Sequence, residues 1–209
     1  MKAVWLIQLQ QQLTMQLQKG RLAHAFLITG VEGCGKQQLA NWLSQIILCQ
    51  QCIIDQGNIY QPCGRCKHCQ LYLAGNFPDH QNIVSEKNTI GVDEIRAANL
   101  FLQKTAQMSG SKTIIIPQAQ SMTESAANAL LKTLEEPSNS SHIILLTADP
   151  ERLLPTIISR CRVITIRPLV GEALTQAIGI KYTDNFSNVS HLPELTSEAV
   201  QLEYQTFNN

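Results

Sequence analysis

Apolar positions at Leu6, Leu9, Leu13 and Leu17, set among glutamines, predict an amphipathic helix over Val4 to Leu17 that Lys19-Gly20 ends. The rhythm then shortens. Ala25-Phe26-Leu27-Ile28-Thr29 has the length of a buried strand, and a glycine-rich turn follows it. Leu39, Trp42, Leu43, Ile46 and Ile47 then fall on one face of a helix predicted over Gln37 to Leu48. After an irregular stretch the pattern resumes. Gln81 to Val84 reads as a strand, Val92 to Met108 as a helix, and the β-branched run Thr113 to Ile116 as a buried strand. A further helix opens at Thr123, a good N-cap, although Ser121 with Glu124 also fits a capping box, and it stops before Pro137. His142 to Thr147 and Arg162 to Arg167 are two more strands, with a helical turn at Pro155 to Ile158 before the second. Strands alternating with helices predict an α/β domain, its mostly parallel sheet covered on both faces. From Val170 onward the pattern weakens to two short helical stretches around a polar loop, too little for a second core.

Composition narrows the classes. The 209 residues are 44% hydrophobic, enough to bury a core. Lys plus Arg and Asp plus Glu are 16 each, so the net charge is zero, and nothing in the overall charge argues for a freestanding nucleic-acid binder. No apolar run approaches the ~18 residues of a membrane span. The opening MKAVWLIQLQQQL lacks the uninterrupted apolar core and small-residue cleavage site of a secretory signal. Seven cysteines, an odd number in a long chain, argue against a disulfide framework and for reduced thiols.

Gly30-x-x-x-x-Gly35-Lys36, with Gly33 inside it, has the spacing of a phosphate-binding P-loop. Its glycines let backbone N–H groups curl around phosphates, and Lys36 would add a point charge. The next position needs a Ser or Thr hydroxyl for Mg²⁺, and here it is Gln37. The strand ending at Ile116 should carry an acid, and Pro117-Gln118 follow instead. With both metal partners missing, ATP hydrolysis is not expected. A strand-to-helix turn kept for its geometry outweighs true ATP binding at Gly30, Gly33, Gly35 and Lys36.

Cys63-x2-Cys66-x2-Cys69 sets three thiols at gaps that converge on one tetrahedral metal. The fourth ligand comes from Cys49, Cys52 or His68. His68 would have to fold its ring back, whereas Cys49 ends the preceding helix and could anchor the insert. The preferred set is Cys49, Cys63, Cys66 and Cys69 around a structural zinc. The iron–sulfur rival needs a further cysteine where Leu73 stands. Finally, Arg160 in Ser159-Arg160-Cys161 has the planar fork that suits phosphate, although sequence physics alone makes it a solvated surface residue.

The glycine loop, the cysteine insert, Asn128-Ala-Leu-Leu-Lys-Thr-Leu-Glu-Glu-Pro137, Thr147-Ala-Asp-Pro150 and Ser159-Arg160-Cys161 stand in this order along the chain. The set resembles the bacterial DNA polymerase III clamp-loader family of AAA+ proteins over about Leu22 to Pro168. The resemblance implies a RecA-like AAA+ domain over 1–168, a zinc module at about 49–75, and a partial or divergent helical lid over 169–209. It implies a cytoplasmic subunit of a loader that places the ring-shaped sliding clamp on primed DNA, with the gamma/tau ATPase subunits and the delta subunit as partners. The family's active ATPase carries Thr at position 37 and Asp-Glu at 117–118. The residues here imply instead its non-hydrolysing stator. Arg160 matches the arginine presented to ATP on the neighbouring subunit, and Thr147 matches a polar sensor. The competing readings are an independent P-loop ATPase, supported by Gly35-Lys36, and a zinc-ribbon DNA-binding module, supported by Arg65, Lys67 and His68.

Overall fold

The computed structural model describes residues 4–84, 89–138 and 140–169. Leu6–Arg167 form one compact unit. The region of the expected lid lies outside the described residues from 170 onward.

The apolar runs become strands β1 (Ala25–Thr29), β5 (Lys112–Ile116) and β6 (Ser141–Thr147), with every residue of β1 and β5 buried. Together with β4 (His80–Asn82) and β7 (Arg162–Thr165) they build a parallel five-stranded sheet in the order β4-β5-β6-β1-β7. In register, Leu27 lies beside Leu145 on one side and Val163 on the other. Burial on both faces explains why these strands read as continuous rather than alternating apolar runs.

Helix α1 (Ile7–Gln18) precedes the sheet, and α2 (Lys36–Leu48) follows the glycine loop and packs on β1, β5 and β6. One core gathers Leu27, Ile114, Ile116, Ile143 and Leu145 against α4 (Val92–Gln103), α5 (Glu124–Glu135) and α6 (Pro155–Ile158). The N-cap of α5 is Thr123, whose hydroxyl accepts from the Ala126 N–H; Ser121 instead donates its hydroxyl to the Gln118 carbonyl. The expected helix at Val92 stops at Gln103, short of Met108. Lys104 turns to an extended backbone, and a buried carboxylate organises the segment beyond. Asp79, just before β4, accepts the N–H groups of Gln107, Met108 and Ser109 at 2.7–3.0 Å, and so folds that segment into a loop. Burial alone would raise the Asp79 pKa, but these N–H groups and the Ser109 hydroxyl outweigh it and hold the carboxyl below its ordinary value.

Between α2 and β4 lies a small insert: the hairpin β2 (Ile53–Ile54) and β3 (Tyr60–Gln61), then α3 (Lys67–Leu73). It has little apolar interior, so polar bonds attach it. Trp42 Nε1 donates to the Tyr60 carbonyl, and the Tyr60 N–H donates to Thr14 Oγ1 on α1.

Candidate functional site

The glycine loop leaves β1 and enters α2 with Gly30, Gly33 and Gly35 all at positive φ. Gly30 is fixed sterically. A Cβ there would stand 2.7 Å from Cys34 Sγ and 2.8 Å from the Ile166 carbonyl oxygen. The loop therefore has the expected shape. Its lysine faces inward, with Lys36 Nζ donating to the Gly30 carbonyl at 2.6 Å and the Val31 carbonyl at 2.8 Å. Gln37 turns along its own helix and donates to Asn41 Oδ1. A cleft of about 330 Å³ beside the loop is lined by Gly33, Lys36, Gln37, Pro117 and Gln118 among others. The structure thus brings together the positions that would hold phosphate and Mg²⁺, and none at the strand end is acidic. Thr147 is fully buried and accepts the Asp149 N–H, which makes it a turn-capping hydroxyl.

The four cysteines chosen from spacing converge. The sulfurs of Cys49, Cys63, Cys66 and Cys69 all lie within 4.8 Å of one another. Cys49–Cys66, Cys63–Cys69 and Cys49–Cys69 are 4.0, 3.9 and 3.5 Å apart. A tetrahedral zinc at about 2.3 Å from each sulfur sets edges of about 3.8 Å, so the group fits that ion. The N–H groups of Cys63, Cys66 and Cys69 donate to the sulfurs of Cys49, Cys63 and Cys66, as suits thiolates. Burial opposes ionisation at Cys66, yet N–H bonds from Cys69 and Gln50 outweigh it and bring the thiol to about 6. Cys69 goes the opposite way, raised by burial and by its bonds to Cys66 and Cys49. Neighbouring thiols resist ionising together, and a divalent cation removes that conflict.

The two rejected ligands have other partners. Cys52 donates to the Ile46 carbonyl, and burial, then the nearby Cys49, push its thiol up to about 12. His68 Nδ1 donates to the Leu48 carbonyl at 2.8 Å, and its ring packs on Phe77.

The Ser-Arg-Cys turn joins α6 to β7. Cys161 packs against the core, and burial pushes its thiol up to about 12. Ser159 Oγ donates to the Thr156 carbonyl, tightening the end of α6. Arg160 stands outside, with its side chain 36% exposed and Nη2 2.7 Å from Glu135 Oε1. Sequence reasoning missed Glu135 and Asp79. Asp79 belongs to no spaced motif, and Glu135 lies within the Asn128 to Pro137 string, where the one available signal was an acid at the C-terminal end of a helix, its charge opposing the helix dipole.

A strand–glycine loop–helix unit on a parallel sheet of order 4-5-6-1-7, carrying a cysteine insert and an exposed arginine turn, defines a RecA-like AAA+ fold whose glycine loop has no metal-binding hydroxyl or strand-end acid beside it. The chain belongs to the family described as DNA polymerase III, delta subunit, whose model matches residues 6–170. Its curated relatives include several delta-prime subunits and a tau subunit. It is 42% identical over 160 residues to DNA polymerase III subunit delta' of Escherichia coli (strain K12), covering 76% of this chain and 46% of that protein. It is 43% identical over 168 residues to the Pseudomonas aeruginosa subunit delta', covering 78% and 49%. Among solved structures, a gamma subunit-related protein of DNA polymerase III from Thermotoga maritima superposes with a TM-score of 0.57 at 24% identity, covering 95% of this chain and 58% of that one. That likeness concerns the fold. The chain spans about half the length of the curated relatives it matches.

Proposed function

We propose that this chain is the non-hydrolysing stator of a DNA polymerase III clamp loader, and that it lends Arg160 to ATP bound on a neighbouring gamma/tau-type subunit. The observation that carries this reading is the contrast between two cations. Lys36 is turned onto carbonyls of its own loop, whereas Arg160 stands at the surface, paired with Glu135 and with its Nε–H uncommitted. A guanidinium beside a γ-phosphate offsets charge developing in the transition state and needs no chemistry on its own subunit. The remaining parts of the reading are a delta-type partner, action on the sliding clamp at primed DNA, a cytoplasmic setting, and a lid over 169–209. Cys49, Cys63, Cys66 and Cys69 would hold a structural zinc, which closes the tetrahedron and leaves no open catalytic position.

The test is a loader reconstituted with Arg160→Ala in this chain. Clamp- and DNA-stimulated ATPase should fall at least roughly a hundredfold while the complex stays intact. Unchanged turnover would return Arg160 to the role of a surface residue. Magnesium-dependent hydrolysis by the isolated chain, abolished by Lys36→Ala, would refute the non-hydrolysing assignment.

A further inference from the structure

We propose that Glu135 is the positioning residue of Arg160, holding its guanidinium in the orientation offered to the neighbouring subunit. The inference rests on the reading of Arg160 as an arginine acting in trans. Glu135 is the last residue of α5 and Glu136 follows it. A carboxylate at that end opposes the partial negative charge of the helix terminus, so the stability of α5 does not account for it. Across from it lies Arg160 Nη2, at 2.7 Å. Nη1 meanwhile donates to the Thr156 carbonyl at 3.0 Å and reaches Ser159 Oγ at 3.4 Å. The guanidinium is thus held from two directions, by the end of α5 and by the end of α6.

Both anchors grow from segments rooted in the core. Leu134, next to Glu135, is 2% exposed, and Ile157 is fully buried in the same core that Cys161 packs against. One other ion pair occurs among the described residues, Arg96–Asp93, and it is a different kind of contact. It links neighbouring turns of one helix, with side chains 68% and 88% exposed. The Glu135–Arg160 pair instead ties two elements together. Arginine has five N–H donors, and these contacts leave Nε–H uncommitted, so a pinned fork can still meet a phosphate oxygen. A long side chain already confined in this way loses less freedom when it binds.

Glu135→Gln keeps the size of the side chain and removes its charge. In the reconstituted loader it should lower stimulated kcat roughly tenfold with KM for ATP unchanged, and Glu135→Asp should recover part of the loss. The double variant Glu135→Gln/Arg160→Ala should be no slower than Arg160→Ala alone, because the carboxylate acts only through the guanidinium. Losses that add, or normal turnover in Glu135→Gln where Arg160→Ala is slow, would overturn the proposal while leaving the trans arginine standing. No effect of Arg160→Ala would instead bring down that reading and the proposal together. A second readout needs no partners. In the isolated chain, nitrogen-15 spectra should show hindered rotation of the Arg160 guanidinium that is lost in Glu135→Gln; equal mobility in both would contradict positioning.

Discussion

Two turns of this molecule, the glycine loop and the Ser-Arg-Cys turn, hang from neighbouring parallel strands and carry one phosphate-suited cation each. They differ in what each presents. The glycine loop keeps the shape: three glycines at positive φ, one of them unable to accept a Cβ, and a helix beginning where phosphates would sit. It lacks the chemistry, because Gln37, Pro117 and Gln118 supply neither the Mg²⁺ hydroxyl nor the acid. The Ser-Arg-Cys turn instead presents a surface cation, held by Glu135 and the Thr156 carbonyl. Backbone geometry and metal-binding chemistry are separable, and this fold retains the first without the residues of the second.

The comparison can be broken most severely through the helix that carries the glycine loop. Helix α2 starts at the glycine loop and ends beside Cys49, so the cysteine group fixes the far end of the loop's own helix. Metal analysis should find one zinc per chain, lost in Cys49→Ser and Cys66→Ser and kept in Cys52→Ser. Metal binding at such sites contributes on the order of 10 kcal/mol that is coupled to folding, so the insert should unfold with the ion. Release of zinc by Cys52→Ser alone would show that the fourth ligand is misassigned.

Asp79 gives the next largest effect. It shapes the loop before β5, the strand that delivers Pro117 and Gln118 to the cleft. Asp79→Ala leaves the part-buried N–H groups of Gln107, Met108 and Ser109 without their carboxylate acceptor and should cost about 2 kcal/mol in denaturant unfolding. Because the folded carboxyl lies below its ordinary value, its stabilisation is complete above the unfolded pKa of about 3.9 and is lost as pH falls through the lower folded value. Asp79→Asn should remove that acid-side dependence.

A smaller change sharpens the second turn. Arg160→Lys keeps the charge but loses the fork, and should recover only part of the stimulated ATPase, leaving it about tenfold below the wild-type subunit. Smallest of all, Lys36→Ala should lower stability by about 1 kcal/mol, since two charge-assisted bonds to partly exposed carbonyls disappear.

Much of this was legible in the sequence wherever a residue acts through spacing. The apolar runs gave the sheet strands to within a residue or two, and the two-residue cysteine gaps with a helix-end partner gave four sulfurs that do converge. What spacing does not carry is a contact between distant segments. The helix from Val92 stops at Gln103, and the tail expected to continue it holds the N–H groups of Gln107 to Ser109 that Asp79, far upstream, gathers into a loop. Glu135 stood within a conspicuous string without any sign that it faces Arg160. Lys36 bonding its own loop was equally hidden, because the same motif serves whether its lysine meets phosphate or carbonyl.

The central claim, that this chain contributes an arginine and no nucleotide chemistry of its own, is tested most directly by single-turnover ATP hydrolysis in two matched loaders. One carries Arg160→Ala in this subunit and the other Lys36→Ala, with assembly verified in both. The expected result is a fall of about a hundredfold or more for Arg160→Ala and wild-type rates for Lys36→Ala. Collapse with Lys36→Ala and normal hydrolysis with Arg160→Ala would contradict the account.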